Sequence, residues 1–162
     1  DEYGRKVKLG KVQPFTLHSL RDSDSEKLEN GMPTVLIIED EDLDRKVLHS
    51  ILLSAGYEVV GTARNGEEGI ELSRTLQPDL ITIDLMMPKM NGMEVLSKLM
   101  KENSETKALI CTSAHSDPVV DLDMRYGAKG YIIKPFQAKS LLATVKEVIG
   151  APDPARVNVW DF

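Results

Sequence analysis

Short runs of apolar residues alternate with longer segments of helical spacing from residue 33 onward. The short runs show no period-two alternation, which is expected when helices cover both faces of a parallel sheet. They predict five strands, at 34–38, 57–62, 79–83, 108–112 and 129–133. In the segments after each strand, apolar residues recur every three or four positions, which predicts five helices with one buried face each. The pattern therefore predicts an α/β fold.

Local signals mark where several of these helices begin. We expect Asp42 to be the N-cap of the first helix. Asn65, with Glu68 three positions later, has the spacing of a capping box at the second helix. Pro118 is expected to open the fourth helix. The apolar positions of that helix include Val119, Leu122 and Tyr126.

Two flanking segments depart from the alternation. Residues 1–31 begin basic and then turn acidic, so we interpret them as an N-terminal extension or linker. Residues 32–150 form the predicted domain, and 151–162 form a C-terminal tail. Apolar residues within 7–17 and 157–162 leave two interpretations open. Either the two segments mediate association, for example as a homodimer, or the extension is a loose appendage and the tail packs on its own chain.

Charge and composition narrow the range of functions. The 162 residues are 41% hydrophobic and 28% charged, which is ordinary for a globular protein. The net charge of −6 argues against direct binding of nucleic acid by this segment, because a phosphate backbone requires a basic surface. No apolar run approaches the roughly 18 residues of a membrane span, so we expect no membrane partner. The single cysteine, Cys111, fits a reducing compartment, and we expect a cytoplasmic protein.

Charged and hydroxyl residues follow four of the five predicted strands. Glu39 and Asp40 follow the first strand, Asp84 the third, Ser113 the fourth and Lys134 the fifth. Each has an ordinary explanation by itself, such as a solvated helix start, a turn residue or a surface lysine. Ligands of open α/β sheets bind beyond the carboxyl ends of the strands, where all of these side chains would converge. The joint placement therefore favours a functional cluster.

The acids of this cluster need a cation. Carboxylates that crowd together repel each other strongly where water is partly excluded, and Mg²⁺ with its preference for oxygen ligands would relieve that repulsion. We expect Asp40, Asp84 and the backbone carbonyl of Met86 to bind Mg²⁺ directly. Glu39, which is longer by one methylene group, would act through a metal-bound water. The sequence therefore predicts an acyl-phosphate site that uses Mg²⁺.

The remaining roles follow from the chemistry of phosphoryl transfer. Asp84 would be the nucleophile that forms an aspartyl phosphate. Lys134 would pair with a phosphoryl oxygen after transfer, and Ser113 would donate a hydrogen bond to another. Thr112 is an alternative to Ser113, but strand parity and the alanine that follows favour Ser113.

These residues carry a family resemblance. The segment 34–150 resembles the receiver domain of two-component response regulators, and the matching pieces are VLIIEDED, ITIDLMMPKMNG, CTSAH and GYIIKPF. The spacing matches as well, with 44 positions from Asp40 to Asp84, 29 more to Ser113 and 21 more to Lys134. The resemblance implies a flavodoxin-like (βα)5 fold, a doubly wound parallel sheet with strand order 2-1-3-4-5.

The resemblance also implies an activity and its partners. A sensor histidine kinase or a histidine phosphotransfer protein would phosphorylate Asp84, and the chain would be no enzyme beyond its own phosphorylation and autodephosphorylation. Tyr131 matches the switch aromatic of the family, and the Lys134–Pro135 bond is expected to be cis. Met86 and His115 stand at positions that tune access of water to the phosphate. The bulky Met86 favours slow hydrolysis.

Other functions fit less well. A haloacid-dehalogenase-type phosphatase needs a second aspartate two positions after the nucleophile, where this chain has Met86. A nucleotide- or flavin-binding fold would need glycines or hydroxyls in the acidic loop 39–42. A degenerate receiver that acts only as a docking or dimerisation module remains the alternative. The output partner is unknown, and we expect it to use the face formed by the fourth helix, the fifth strand and the fifth helix.

Overall fold

The computed structural model describes residues 32–113 and 124–156. The strands in these ranges are β1 (Thr34–Ile38), β2 (Glu58–Ala63), β3 (Leu80–Asp84), β4 (Ala108–Thr112) and β5 (Gly130–Ile133). The helices are α1 (Asp42–Ser54), α2 (Gly66–Leu76), α3 (Gly92–Glu102) and α4 (Ala138–Ile149). A short 3-10 helix, Pro154–Arg156, follows α4.

The strands form one parallel sheet in the order β2-β1-β3-β4-β5. This confirms both the predicted fold class and the predicted strand order. The chain moves outward from β1 to β2 and then crosses to β3 on the other side of β1. In such sheets the crevice beyond the carboxyl ends of the strands, where the direction of winding changes, is where ligands bind. Here that crevice lies between β1 and β3.

Helices cover the sheet on both faces because alternate residues of each central strand point to opposite sides. Leu36 and Ile38 of β1 belong to a buried cluster that includes residues of α2 and α3. Val35 and Ile37 belong to a second buried cluster, which α1 and α4 complete. Both faces of β1 are therefore apolar, which explains why the strand runs show no alternation of polar residues.

The start of α2 agrees with the prediction from the sequence, whereas the start of α1 differs from it. The side chain of Asn65 accepts a hydrogen bond from the Glu68 amide at the start of α2, as predicted. Glu68 reaches back to the Arg64 amide, one residue before the cap. The expectation for Asp42 was wrong, because α1 begins at Asp42 itself. Glu41 holds the cap position without a side-chain cap bond.

Several expectations lie outside the described residues. The greater part of the predicted fourth helix, from Pro118 onward, falls there, and so do residues 1–31 and 157–162. The division into extension, domain and tail, and the proposed role of the two ends in association, stay predictions.

Candidate phosphoryl-acceptor site

The carboxyl ends of the strands bring five of the predicted site residues, Asp40, Asp84, Met86, Ser113 and Lys134, to one open cavity of about 430 Å³. Asp84 is the last residue of β3, in the middle of the sheet, and its side chain is buried. Glu39 and Asp40 directly follow β1, and Lys134 directly follows β5. The lining consists of Asp40, Glu41, Asp44, Asp84, Met86, Ser113, Lys134 and Pro135.

The loop after β1 is held in place by a buried arginine of α1. The Arg45 guanidinium donates hydrogen bonds to the carbonyl oxygens of Glu39, at 2.9 Å, and Asp40, at 3.4 Å. It also pairs with the carboxylate of Asp42. The Glu41 amide donates to Oε1 of Glu39 at 3.1 Å. The backbone that carries the two acids is therefore held by contacts within residues 39–45 and by the Glu39 amide, which donates to the Ala63 carbonyl at 3.0 Å.

Lys134 is the positive centre of the cavity. Its Nζ lies 2.8 Å from Oε2 of Glu39, 3.1 Å from Oδ1 of Asp84 and 3.1 Å from Oδ2 of Asp44. The Lys134 amide continues the β4–β5 ladder by donating to the carbonyl of Thr112 at 2.9 Å. The peptide bond from Lys134 to Pro135 is cis, as expected.

Asp44 is the residue that sequence reasoning missed. It stands in the first turn of α1, four positions after Asp40, in a run of acids that reads as an ordinary acidic helix start. The available signal was its place in the first turn of the helix that directly follows Glu39 and Asp40. Only the tertiary fold places the Lys134 ammonium beside that turn.

Three carboxylates could together hold a divalent cation. Oxygen atoms of Glu39, Asp40 and Asp84 all lie within 4.8 Å of one another. Oδ1 of Asp40 is buried and has no hydrogen-bond partner among the residues that the structure describes. A buried carboxylate oxygen without a donor is costly unless a cation binds it. Hard oxygen ligands of this kind are those that Mg²⁺ prefers, so the residues present fit that ion.

The electrostatics of the cavity shift two pKa values upward. Burial, a hydrogen bond with Asp40 and the charge of Glu39 raise the pKa of Asp84 from its ordinary 3.8 to about 7, against the opposing effect of Lys134. Burial alone lowers the pKa of Lys134. The hydrogen bond to Glu39 and the charges of Asp84 and Glu39 outweigh it and raise that pKa above its usual range. Lys134 is thus a permanent cation at neutral pH.

Two of the remaining predicted residues, Ser113 and Met86, line the cavity. Ser113 is exposed, whereas Thr112 is buried in β4. The side chain of Met86 is largely exposed, and its amide donates to Oδ1 of Asp84 at 3.3 Å. Tyr131 of β5 is exposed. His115 lies outside the described residues.

Two further observations concern Cys111 and the length of the helices. Cys111 is buried in β4, and burial raises the pKa of its thiol, as expected for an unreactive cysteine. No helix within residues 32–113 and 124–156 is long and apolar enough to span a bilayer.

Comparison with known proteins agrees with this arrangement. Residues 35–146 match the family model of the response regulator receiver domain. The chemotaxis protein CheY of Thermotoga maritima is 37% identical over 114 residues, which cover 70% of this chain and 95% of that protein. The nitrate/nitrite response regulator protein NarL of Escherichia coli is 36% identical over 115 residues, which cover 70% of this chain and 53% of NarL.

Solved structures of CheY proteins are also similar to this chain. A chain of the CheX–CheY–BeF3–Mg²⁺ complex from Borrelia burgdorferi has a TM-score of 0.72 at 29% identity, with 75% of this chain and 92% of that one covered. CheY4 of Vibrio cholerae has a TM-score of 0.68 at 31% identity, covering 72% of this chain and 98% of that one.

The open α/β sheet, the acidic pocket at its switch point and these matches together indicate a receiver-type signalling domain. The chain belongs to the response regulator receiver domain family. It is CheY-like and of the two-component type.

Proposed function

We propose that this chain accepts a phosphoryl group on Asp84 from a phosphohistidine, with Mg²⁺ bound beside it. The donor would be a sensor histidine kinase or a histidine phosphotransfer protein. The observation that carries the proposal is the position of Asp84. Its carboxylate belongs to an acid cluster that fits a divalent cation, and it lies 3.1 Å from a lysine ammonium.

Each side chain then has one role. Asp40, Asp84 and the Met86 carbonyl would hold Mg²⁺, with Glu39 acting through a bound water. When bound, the ion neutralises charge on the transferring phosphoryl oxygens. A carboxylate oxygen of Asp84 forms the new bond to phosphorus while the bond from phosphorus to the donor imidazole breaks. The electron pair of that bond stays on the imidazole nitrogen. Lys134 then pairs with a phosphoryl oxygen.

The added charge would change a distant surface. Ser113 is an exposed hydroxyl on the cavity rim, at the start of the segment that leads toward β5, and would donate a hydrogen bond to the phosphoryl group. Tyr131 on β5 would respond as the switch aromatic. The output partner that binds this surface is unknown. Autodephosphorylation would end the signal in the cytoplasm, slowly if Met86 shields the phosphate. A phosphate lifetime under a few seconds would contradict that shielding.

The alternative, a degenerate receiver that serves only for docking or dimerisation, is not favoured, because the acid cluster and the lysine are complete. Association through 7–17 and 157–162 is a separate proposal. Removal of both segments is expected to lower the mass of the particle in solution to that of one chain. An unchanged number of chains per particle would contradict it.

Titration with acetyl phosphate and with beryllofluoride tests the function. We expect a response that requires Mg²⁺ and that disappears in Asp84→Asn. Asp153→Asn makes the same chemical change on the surface, at a residue that does not line the cavity, and should respond like the parent protein. A parent protein that gives no Mg²⁺-dependent response would instead favour the docking module.

A further inference from the structure

We propose that Asp44 is a positioning residue that shares the Lys134 ammonium with Asp84. It would thereby set the balance of the site between binding a cation and binding a phosphoryl anion. The inference rests on the proposed phosphoryl-acceptor function and adds to it a residue from outside the predicted set.

The hydrogen-bonding capacity of Lys134 is the first observation. An ammonium has three N–H donors and no acceptor. Three acids, Glu39, Asp84 and Asp44, lie between 2.8 and 3.1 Å from Nζ. The Lys134 side chain is only 14% exposed, so little water is available to compete. The three acids therefore share one ammonium charge, and a phosphoryl oxygen that binds Lys134 has to compete with them for it.

Solvent exposure determines which of the three acids loses its contact with Lys134 most easily. The side chains of Glu39 and Asp84 are 1% and 5% exposed, whereas that of Asp44 is 34% exposed. A buried carboxylate that loses its ammonium partner bears the full cost of desolvation, while one at the rim is solvated again by water. Asp44 is therefore the partner that Lys134 can release at the lowest cost. In the resting protein its ion pair with Lys134 stands in competition with the phosphoryl group.

A definite pair of effects follows. Loss of the Asp44 charge would remove one of the three acids that compete for the Lys134 ammonium and a negative charge from the rim, so a phosphoryl mimic would bind more tightly. The same loss would leave Lys134 less neutralised, so Mg²⁺ would bind more weakly. The two affinities change in opposite directions. If Asp44 served only to stabilise the acidic start of α1, its loss would loosen the site and weaken both ligands.

The experiment compares four proteins: the parent, Asp44→Asn, Asp44→Glu and Glu41→Gln. Glu41 lines the same cavity but is no ion-pair partner of Lys134, so its variant reports the effect of rim charge alone. The probes are Mg²⁺ by itself, and beryllofluoride at saturating Mg²⁺, both followed by titration calorimetry.

We expect Asp44→Asn to lower the beryllofluoride concentration at half-saturation about three- to tenfold. We expect it to raise the Mg²⁺ dissociation constant about two- to fivefold. Glu41→Gln should change each by less than about twofold, and Asp44→Glu should restore the parent values in part. The inference is overturned if both affinities of Asp44→Asn move in the same direction. It is also overturned if Glu41→Gln matches Asp44→Asn. A parent protein that binds Mg²⁺ but not beryllofluoride would overturn the proposed function itself, which is a different outcome.

Discussion

The first residue of α3, Gly92, is pressed against the backbone of Asp84. A Cβ atom on residue 92 would lie 2.5 Å from the Asp84 carbonyl oxygen and 2.8 Å from the Cα of Leu85. The Gly92 amide also donates to the Leu85 carbonyl at 2.9 Å. The start of α3 and the phosphoryl acceptor are therefore one rigid unit, and the acceptor cannot shift without the helix.

Gly92→Ala should accordingly damage both stability and function. The methyl group would meet main-chain atoms that cannot rotate away, so we expect a loss of about 2–4 kcal/mol in the free energy of unfolding. Denaturant titration measures the loss, and beryllofluoride titration should show weaker binding. Gly130→Ala is the matched control, because its Cβ would meet only side-chain atoms, of Leu109 at 3.1 Å and of Thr144 at 3.6 Å. Equal losses in the two variants would contradict the account.

The raised pKa of Asp84 predicts how stability depends on pH without metal. The folded protein holds the proton up to about pH 7, whereas the unfolded chain releases it near 3.8. The cost of ionising Asp84 is therefore absent below about pH 4 and complete above about pH 7, so it lowers stability as pH rises.

Asp84→Asn removes that cost. In a chelating buffer the variant should be more stable than the parent by about 1–3 kcal/mol near pH 8, and equal to it near pH 4. Saturating Mg²⁺ should narrow the difference by binding the parent protein preferentially. Thermal denaturation at both pH values measures this. A variant less stable than the parent at the higher pH, without metal, would show that Asp84 is not destabilised by its surroundings.

The hydrogen bonds of Arg45 predict that the geometry of the loop carrying Glu39 and Asp40 determines the affinity for Mg²⁺. Arg45→Met removes the donors to the carbonyls of Glu39 and Asp40 and should cost about 1–3 kcal/mol of unfolding free energy. The acids would no longer be held together, so calorimetry should show weaker Mg²⁺ binding. Lys46→Met removes the same charge from the next position of α1 and serves as control. Unchanged Mg²⁺ affinity in Arg45→Met would contradict the positioning role.

The position of Ser113, directly after β4, predicts that its hydroxyl couples the phosphoryl site to Tyr131. Ser113→Ala should bind Mg²⁺ normally but reduce the change in the Tyr131 ring signals that beryllofluoride produces in nuclear magnetic resonance spectra. Ser113→Thr should keep it, since the hydroxyl remains. Thr112→Val alters the buried neighbour and should leave the Tyr131 response in place. A response lost only in Thr112→Val would reverse the assignment.

The sequence predicted those features that depend on local pattern and on strand order. Apolar runs placed all five strands, with β2 and β3 beginning and ending one residue later than expected and β5 beginning one residue later. The acids Glu39, Asp40 and Asp84 could be assigned to one pocket because parallel strands end at the same edge. Asp44 could not, because its contact with Lys134 depends on how α1 lies against the end of β5.

The central claim concerns one carboxylate, and a crystal structure of the protein with Mg²⁺ and beryllofluoride tests it most directly. We predict beryllium bonded to a carboxylate oxygen of Asp84, the metal on Asp40 and Asp84, and a fluoride within hydrogen-bond distance of Lys134. An Asp84 side chain turned away from an empty cavity in crystals grown at saturating concentrations of both ligands would contradict the account.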